Sequence, residues 1–97
     1  MIVATWNEEV IARSDRTIVV EDNHYFPTDD VHTDFLKETD HHTTCPWKGE
    51  ASYFDIEVNG KTNSNAAWTY KDPKPAAAEI KYYIAFWKGV SVKEEKL

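Results

Sequence analysis

The chain is poor in cysteine, glycine and proline, and each shortage excludes a class of protein. Its 97 residues include one cysteine, three glycines and four prolines. The single cysteine, Cys45, cannot form an internal disulfide, so the chain is not a disulfide-stapled secreted domain. The glycines Gly49, Gly60 and Gly89 stand far apart, so the sequence has no glycine-rich loop of the kind that binds phosphates.

Long hydrophobic runs are also missing. The first ten residues, MIVATWNEEV, have neither the basic start nor the apolar stretch of a signal peptide. No segment approaches the roughly 20 apolar residues that cross a bilayer. We therefore expect a cytoplasmic protein with no membrane partner, and a lone thiol suits that reducing compartment.

Basic side chains are scarce in the first part of the chain, and the formal net charge is −6. Residues 1–40 carry ten acidic and three basic side chains, whereas residues 41–97 carry seven and eight. An acidic protein repels a phosphate backbone, so we expect no nucleic-acid partner. A site for a small anion is expected in the second half, near one of the lysines Lys48, Lys71, Lys74 and Lys81.

Aromatic residues are abundant, with four tryptophans and five tyrosines. They bury large areas, which lets a chain of this size build one modest core. Phe54, Ile56 and Val58 alternate with acidic residues, which predicts a strand with one wet face. We predict a mainly β fold, a small antiparallel rolled sheet or sandwich with one short helix. It forms a single domain over residues 1–97, with 93–97 as a frayed tail.

Turn residues divide the chain into strands. Asn59-Gly60 is the strongest hairpin signal, because both central residues of a type I′ turn need a positive φ. Lys88-Gly89 predicts a second hairpin. Pro75 predicts a helix over about 75–82, since proline suits a first helical position. Strands are predicted at 2–6, 10–13, 17–21, 53–58, 62–70, 84–87 and 90–93, with a single helical turn after Pro27.

Three strings give the sequence a resemblance to a known family. They are ATWNEEVIARSDRTIVVEDNHYFP at 4–27, TTCPWKGEASYFDI at 43–56 and AAWTYKDPKPAAAEIKYYIAFWKGV at 66–90. In order and spacing they resemble the family catalogued as domain of unknown function 427, also filed under a nucleotidyltransferase-like label. Glu8 and Asp22 depart from the family, since they stand at turn positions where it often has glycine. The resemblance implies a compact, mainly β domain and no established reaction.

The nucleotidyltransferase label receives little support from the residues. Nucleotidyl transfer uses carboxylates around Mg²⁺, with amides or lysines on the triphosphate. Asp29-Asp30 is the only adjacent aspartate pair. At a proline-bounded turn, such carboxylates are more often helix caps or solvated loop residues. The sequence leaves any cofactor unknown.

The segment Cys45-Pro46-Trp47-Lys48 has two interpretations. As a ligand-presenting loop, it stacks Trp47 on a planar group and offers Lys48 to an anion. As a sheet corner, it bends at Pro46 and plugs the core with Trp47. Catalysis by Cys45 would need a thiolate, whereas a free cysteine is more often a small buried hydrophobe. The polar candidates for an enzyme of unknown reaction are Glu21, His24, Cys45 and Lys48, and none is assigned a role.

No metal site is predicted. His42 and Cys45 have ligand-like spacing, but a closed zinc site usually shows two such pairs, and the second is missing. The other histidines, His24, His32 and His41, are more simply surface or loop residues.

The preferred site is a pocket of aromatic side chains rimmed by lysine. Trp68 and Tyr70 share one face of a strand because side chains alternate with a period of two. Their polar tips favour a wet edge of the sheet. The predicted ligand-binding residues are Tyr25, Trp47, Lys48, Tyr53, Trp68 and Tyr70.

Three functions stay open at this point. The first is a binding module for a small, partly planar ligand, with or without a negative charge. The second is an enzyme of unknown reaction, which a base within hydrogen-bond reach of Cys45 would favour. The third is a structural or interaction domain, for example a homodimer that covers exposed aromatic residues, which a flat apolar patch would favour.

Overall fold

The computed structural model describes residues 1–96, and short antiparallel strands make up most of it. The mainly β prediction is confirmed. The strands are β1 (Ile2–Trp6), β2 (Glu9–Ser14), β3 (Ile18–Val20), β4 (Asn23–Tyr25), β5 (Leu36–Cys45), β6 (Gly49–Val58), β7 (Lys61–Tyr70), β8 (Ile84–Phe86) and β9 (Ser91–Glu94). Three 3₁₀ helices lie at Thr28–Asp30, Thr33–Phe35 and Pro75–Ile80. Within residues 1–96, no helix is long and apolar enough to cross a membrane.

The strands form three sheets, with the orders β2-β1-β9, β3-β4 and β5-β6-β7-β8. Backbone hydrogen bonds link the sheets. Phe26 and Ile84 exchange two N–H···O bonds of 2.8 Å, which attach the β3–β4 hairpin to the edge strand β8. His32 N–H donates to the Ile11 carbonyl at 2.8 Å and holds the second 3₁₀ helix beside β2.

The two faces of the four-stranded sheet pack against different cores. Tyr53 lies opposite Trp68 across the β6–β7 pair, and Phe54 lies opposite Ala67, so the two pairs point to opposite faces. The Phe54 face packs on the core that β1 and β2 cover. The Tyr53 face packs on a second, tyrosine-rich core beneath the third 3₁₀ helix. This second core positions the candidate site.

The hairpin at Asn59-Gly60 is confirmed. β6 and β7 pair antiparallel, with Val58 opposite Lys61. Asn59 and Gly60 have φ values of 51° and 79°, the signs that a type I′ turn requires.

We expect Gly60→Val to lower the free energy of unfolding by about 1–2 kcal/mol, the usual strain of a side chain at positive φ. A Cβ at Gly60 would meet no atom within 4 Å, so backbone strain acts alone there. Urea denaturation measures the loss. Gly60→Asn is the matched control and should lose less, because asparagine tolerates this conformation. Equal stability of Gly60→Val and the natural chain would contradict the turn geometry.

The same turn geometry occurs where Glu8 and Asp22 replace the glycine that is common in the family. Glu8 has a φ of 67° and Asp22 a φ of 66°, close to the value at Gly60. The turns that join β1 to β2 and β3 to β4 therefore form without glycine, at the cost of some local backbone strain.

The predicted hairpin at Lys88-Gly89 is wrong. The turn itself forms, with φ values of 54° and 85°. However, β8 pairs with β7, whereas β9 pairs with β1 in another sheet. Val90 and Val92 pack against the core under β1 and β2. Burial of these apolar side chains draws the chain across to that sheet.

The helix predicted over 75–82 is shorter and of another type. It is a 3₁₀ helix over Pro75–Ile80, interrupted at Ala77 with a φ of −120°. Its two buried residues, Ala77 and Ile80, are three positions apart. A helix of three residues per turn places both on one face, toward the core.

The frayed tail predicted over 93–97 begins too early. Lys93 and Glu94 belong to β9, paired with Val3 and Ile2. Leu97 lies outside the described residues. The sequence shows no apolar alternation over Lys93 and Glu94, because these two residues are exposed and pair with β1 through the backbone.

Strand β5 was not predicted at all. Its sequence, LKETDHHTTC, is mostly polar, and seven of its ten residues are exposed. It pairs with β6 at the edge of the four-stranded sheet, so main-chain hydrogen bonds form it. His41 and His42 lie exposed on this strand.

Candidate functional site

The turn 46–48 joins β5 to β6 and is held against the segment before the third 3₁₀ helix. Lys74 N–H donates to the Lys48 carbonyl at 2.9 Å. The Lys74 ammonium donates to the Pro46 carbonyl at 2.6 Å. These two bonds fold the turn over the tyrosine-rich core, so the side chain of Lys48 runs inward.

Lys48 is buried, with 7% of its surface exposed. Its ammonium donates a hydrogen bond to the Glu21 carboxylate. The same nitrogen lies 5.6 Å from the ring centroid of Tyr70 and 5.3 Å from that of Trp47. The charge is therefore stabilised by one carboxylate and two aromatic faces.

The ionisation of this group favours a charged pair beside neutral phenols. Burial lowers the pKa of Lys48, but the hydrogen bond from its ammonium to Glu21 and the other groups around it together outweigh burial, and the pKa is raised. The same bond lowers the pKa of Glu21. Burial raises the pKa of Tyr70 to about 12, and it also raises the pKa of Tyr25. Both phenols keep their protons near neutral pH.

A cavity of about 160 Å³ opens beside this ammonium. It is lined by one lysine and four aromatic residues, namely Lys48, Tyr53, Trp68, Tyr70 and Trp87. The Tyr53 and Trp68 rings lie 6.4 Å apart, and the Trp68 and Trp87 rings meet edge-on at 6.1 Å. We call these five residues the aromatic cavity.

Two of the six predicted ligand-binding residues do not line the aromatic cavity. Tyr25 is fully buried behind it, where its hydroxyl accepts a hydrogen bond from Trp68 Nε1 at 3.2 Å. That bond fixes the orientation of the indole. Trp47 is 41% exposed and contacts the Lys48 ammonium from outside the lining. The idea that Trp47 plugs the core is therefore wrong.

Trp87 lines the aromatic cavity but is not among the ligand-binding residues predicted from the sequence. It follows β8, is 46% exposed, and its Nε1 donates to the Asn65 carbonyl at 2.7 Å. Asn65 has a φ of 53° and lies in the irregular part of β7. The sequence predicts Trp87 only as the last residue of a strand. It gives no sign that the irregular part of β7 around Asn65 holds the indole at the cavity.

The four polar candidates for catalysis do not form one constellation. Glu21 and Lys48 form an ion pair. Cys45 is partly buried and packs against the tyrosine-rich core. His24 Nδ1 instead shares a hydrogen bond of 2.9 Å with Thr17 Oγ1 in the β3–β4 hairpin.

Two other groups of residues from the sequence analysis, the Asp29-Asp30 pair and the His42–Cys45 pair, lie outside the aromatic cavity. Asp30 accepts hydrogen bonds from Ser14 and Arg16, which lower its pKa and tie the first 3₁₀ helix to β2. His42 and Cys45 are three residues apart on β5 and so face opposite sides of the strand. Within residues 1–96, no group of three histidine, cysteine or acidic side chains is placed to hold a metal ion.

A larger cavity, of about 470 Å³, lies on the other face of the four-stranded sheet. None of the six predicted ligand-binding residues lines it. Aromatic alternation could not reveal it, because its walls come from four separate parts of the chain.

Comparison with known protein families gives a match. A family model described as a domain of unknown function (DUF427), whose name carries a nucleotidyltransferase label, matches residues 1–96. No curated protein matches the chain. The match covers every residue of the aromatic cavity, and its description states no reaction.

Proposed function

We propose that this chain, which belongs to the DUF427 family, binds a small planar anion in the aromatic cavity. One observation carries the proposal. Four aromatic side chains and one buried ammonium, from separate strands and turns, converge on a single cavity. Convergent polar groups in an aromatic-lined concavity are the usual form of a small-molecule site.

The cavity volume suits a ligand with one ring. The aromatic cavity measures about 160 Å³, and an apolar cavity of roughly 150 Å³ accepts benzene. The edge-on arrangement of Trp68 and Trp87 suits a planar group, since aromatic rings prefer offset or edge-to-face packing.

The charge of the ligand follows from Lys48, which is the one charged residue of the lining. An ammonium has three donors, and Glu21 takes one of them. The Glu21 side chain is 55% exposed, so water screens part of its charge when an anion approaches the same ammonium. A carboxylate on an aromatic ring would stack on indole and accept from the remaining donors of Lys48.

Benzoate is expected to raise the melting temperature, and uncharged benzamide of the same size should raise it less. A ligand that binds only the native state stabilises it in proportion to its affinity. Calorimetric titration measures the affinity directly.

Lys48→Met should remove the benzoate effect. Lys71→Met is the matched control, because Lys71 lies on the other face of the sheet, outside the aromatic cavity. An equal response to benzoate and benzamide, or an unchanged response in Lys48→Met, would contradict the proposal.

We place this binding in the cytoplasm as part of the same proposal, since the lone thiol of Cys45 suits a reducing compartment. The homodimer stays a prediction. Trp47 and Trp87 are exposed near the aromatic cavity, so a bound ligand and a covering partner would compete for the same aromatic surface.

A further inference from the structure

The larger cavity is a second site with a different chemistry. It measures about 470 Å³, within the range of roughly 300–1,000 Å³ that ligand pockets occupy. It lies on the Phe54 face of the four-stranded sheet, whereas the aromatic cavity lies on the Tyr53 face. Its lining is Thr28, Thr33, Leu36, Glu38, Phe54, Thr69, Lys71, Tyr82 and Ile84.

The apolar part of this cavity lies on three of the four strands of the sheet. Leu36 comes from β5, Phe54 from β6 and Ile84 from β8. All three pack against or belong to the core under β1 and β2, so they hold fixed positions. This surface can accept a branched aliphatic side chain.

The rim carries one cation and one anion. The Lys71 ammonium donates to Glu38 Oε2 at 2.6 Å, and the two side chains are 40% and 47% exposed. Lys71 keeps further donors and Glu38 keeps its second oxygen. An exposed ion pair contributes little to stability, so its groups are available to a ligand.

Two threonine hydroxyl groups add hydrogen-bonding atoms to the wall of the cavity. Thr28 Oγ1 donates to the Tyr82 carbonyl, and Thr69 Oγ1 donates to the Tyr83 carbonyl at 2.8 Å. Because their protons are used, both oxygens can only accept from a ligand. The wall therefore adds acceptors for a positively charged or N–H group.

We propose that this cavity binds a free α-amino acid with an aliphatic side chain, in its zwitterionic form. The α-carboxylate accepts from Lys71, the α-ammonium donates to Glu38, and the side chain lies on Leu36, Phe54 and Ile84. This site goes beyond the aromatic cavity and does not depend on it.

Ligands of a single charge fit the rim less well. A monocarboxylate would bring a second carboxylate beside Glu38, and an amine would bring a second cation beside Lys71. Like charges at this distance repel. A zwitterion instead adds an alternating pair of charges to the pair already present.

Titration with L-leucine, followed by amide chemical shifts in NMR, tests this site. Leucine should bind with shifts on β5 and β7 near Lys71. Isopentylamine and 4-methylpentanoate, which each lack one of the two charged groups, should bind at least about tenfold more weakly, a difference that calorimetry resolves. Aliphatic probes are chosen because they do not compete for the aromatic cavity. No binding of leucine up to about 10 mM, or equal binding of the three probes, would overturn the proposal.

Variants separate this site from its surroundings. Glu38→Gln and Lys71→Met should each weaken leucine binding at least about tenfold. Lys37 and Glu57 form a matched ion pair on β5 and β6 outside the cavity, with a distance of 3.2 Å. Lys37→Met and Glu57→Gln should leave binding unchanged, and so should Lys48→Met. Loss of leucine binding in Lys48→Met with retention in Lys71→Met would overturn this site without touching the benzoate experiment.

Discussion

Trp68→Ala is expected to lower the free energy of unfolding by about 3 kcal/mol, the lower end of the usual cost of removing a core tryptophan. Trp68 is half-buried against the tyrosine-rich core, with rings of Tyr25 and Tyr53 at 6.1 and 6.4 Å. Its loss leaves a hole and removes the donor that contacts the buried Tyr25 hydroxyl. Benzoate binding should be lost as well. Guanidinium denaturation and calorimetric titration measure the two effects.

Trp87→Ala is the matched control for that experiment. Trp87 lines the same cavity but is 46% exposed. Its removal should weaken benzoate binding while costing less than about 1 kcal/mol of stability, since exposed side chains contribute little to folding. Stability losses of equal size in the two variants would show that Trp68 has no special place in the core. Unchanged benzoate binding in both would remove the aromatic cavity as a site.

The Glu21–Lys48 pair is expected to respond unequally to removal of its two partners. Glu21→Gln should lower the melting temperature more than Lys48→Met does. Removal of the Glu21 charge leaves a buried ammonium without its carboxylate, which is costly. Removal of the Lys48 charge leaves a carboxylate that is 55% exposed and solvated. Thermal unfolding of the two variants measures the order, and the reverse order would contradict the burial of Lys48.

The same pair gives stability a defined pH window. The pKa of Glu21 is lowered from its ordinary 4.5, so the unfolded chain binds more protons near that value. The contribution of Glu21 is therefore full above pH 4.5 and is lost as the pH falls through the lowered value. The pKa of Lys48 is raised from 10.5, so its contribution is lost as the pH rises above that value.

Denaturation curves of the natural chain and of Lys48→Met, measured across pH, check this window. The difference in stability between the two should be greatest between the ordinary values of the two groups, 4.5 and 10.5. It should shrink at both ends. A difference that does not change with pH would show that the ion pair contributes nothing.

Burial of Lys48 is the largest difference between the site predicted from the sequence and the site in the structure. In the sequence, Lys48 follows a proline and a tryptophan and precedes a glycine, and it was predicted at the rim of an aromatic pocket. The hydrogen bonds from the backbone N–H and the side-chain ammonium of Lys74 hold this turn so that Lys48 lies inward, over Tyr70. A variant at Lys48 therefore tests core and site together, and the exposed Trp87 isolates the site more cleanly.

The sequence by itself determined the local elements whose chemistry is short-ranged. Alternation fixed the inner part of β6, and the Asn59-Gly60 turn fixed its pairing with β7. The period of two placed Trp68 and Tyr70 on one face, because neighbouring side chains on a strand must alternate. Composition predicted that lysine and aromatic residues would be found together in the second half of the chain.

Only the tertiary structure decided which elements meet. β5 could not be predicted from the sequence, because backbone hydrogen bonds, rather than a pattern of side chains, form an exposed edge strand. β9 pairs with β1 rather than with β8, because burial of its apolar side chains under β1 outweighs the local turn signal at Lys88-Gly89. The Glu21–Lys48 pair and the larger cavity each join parts of the chain that lie far apart in sequence. Contacts of that kind depend on the packing of the whole sheet, which no local pattern of residues specifies.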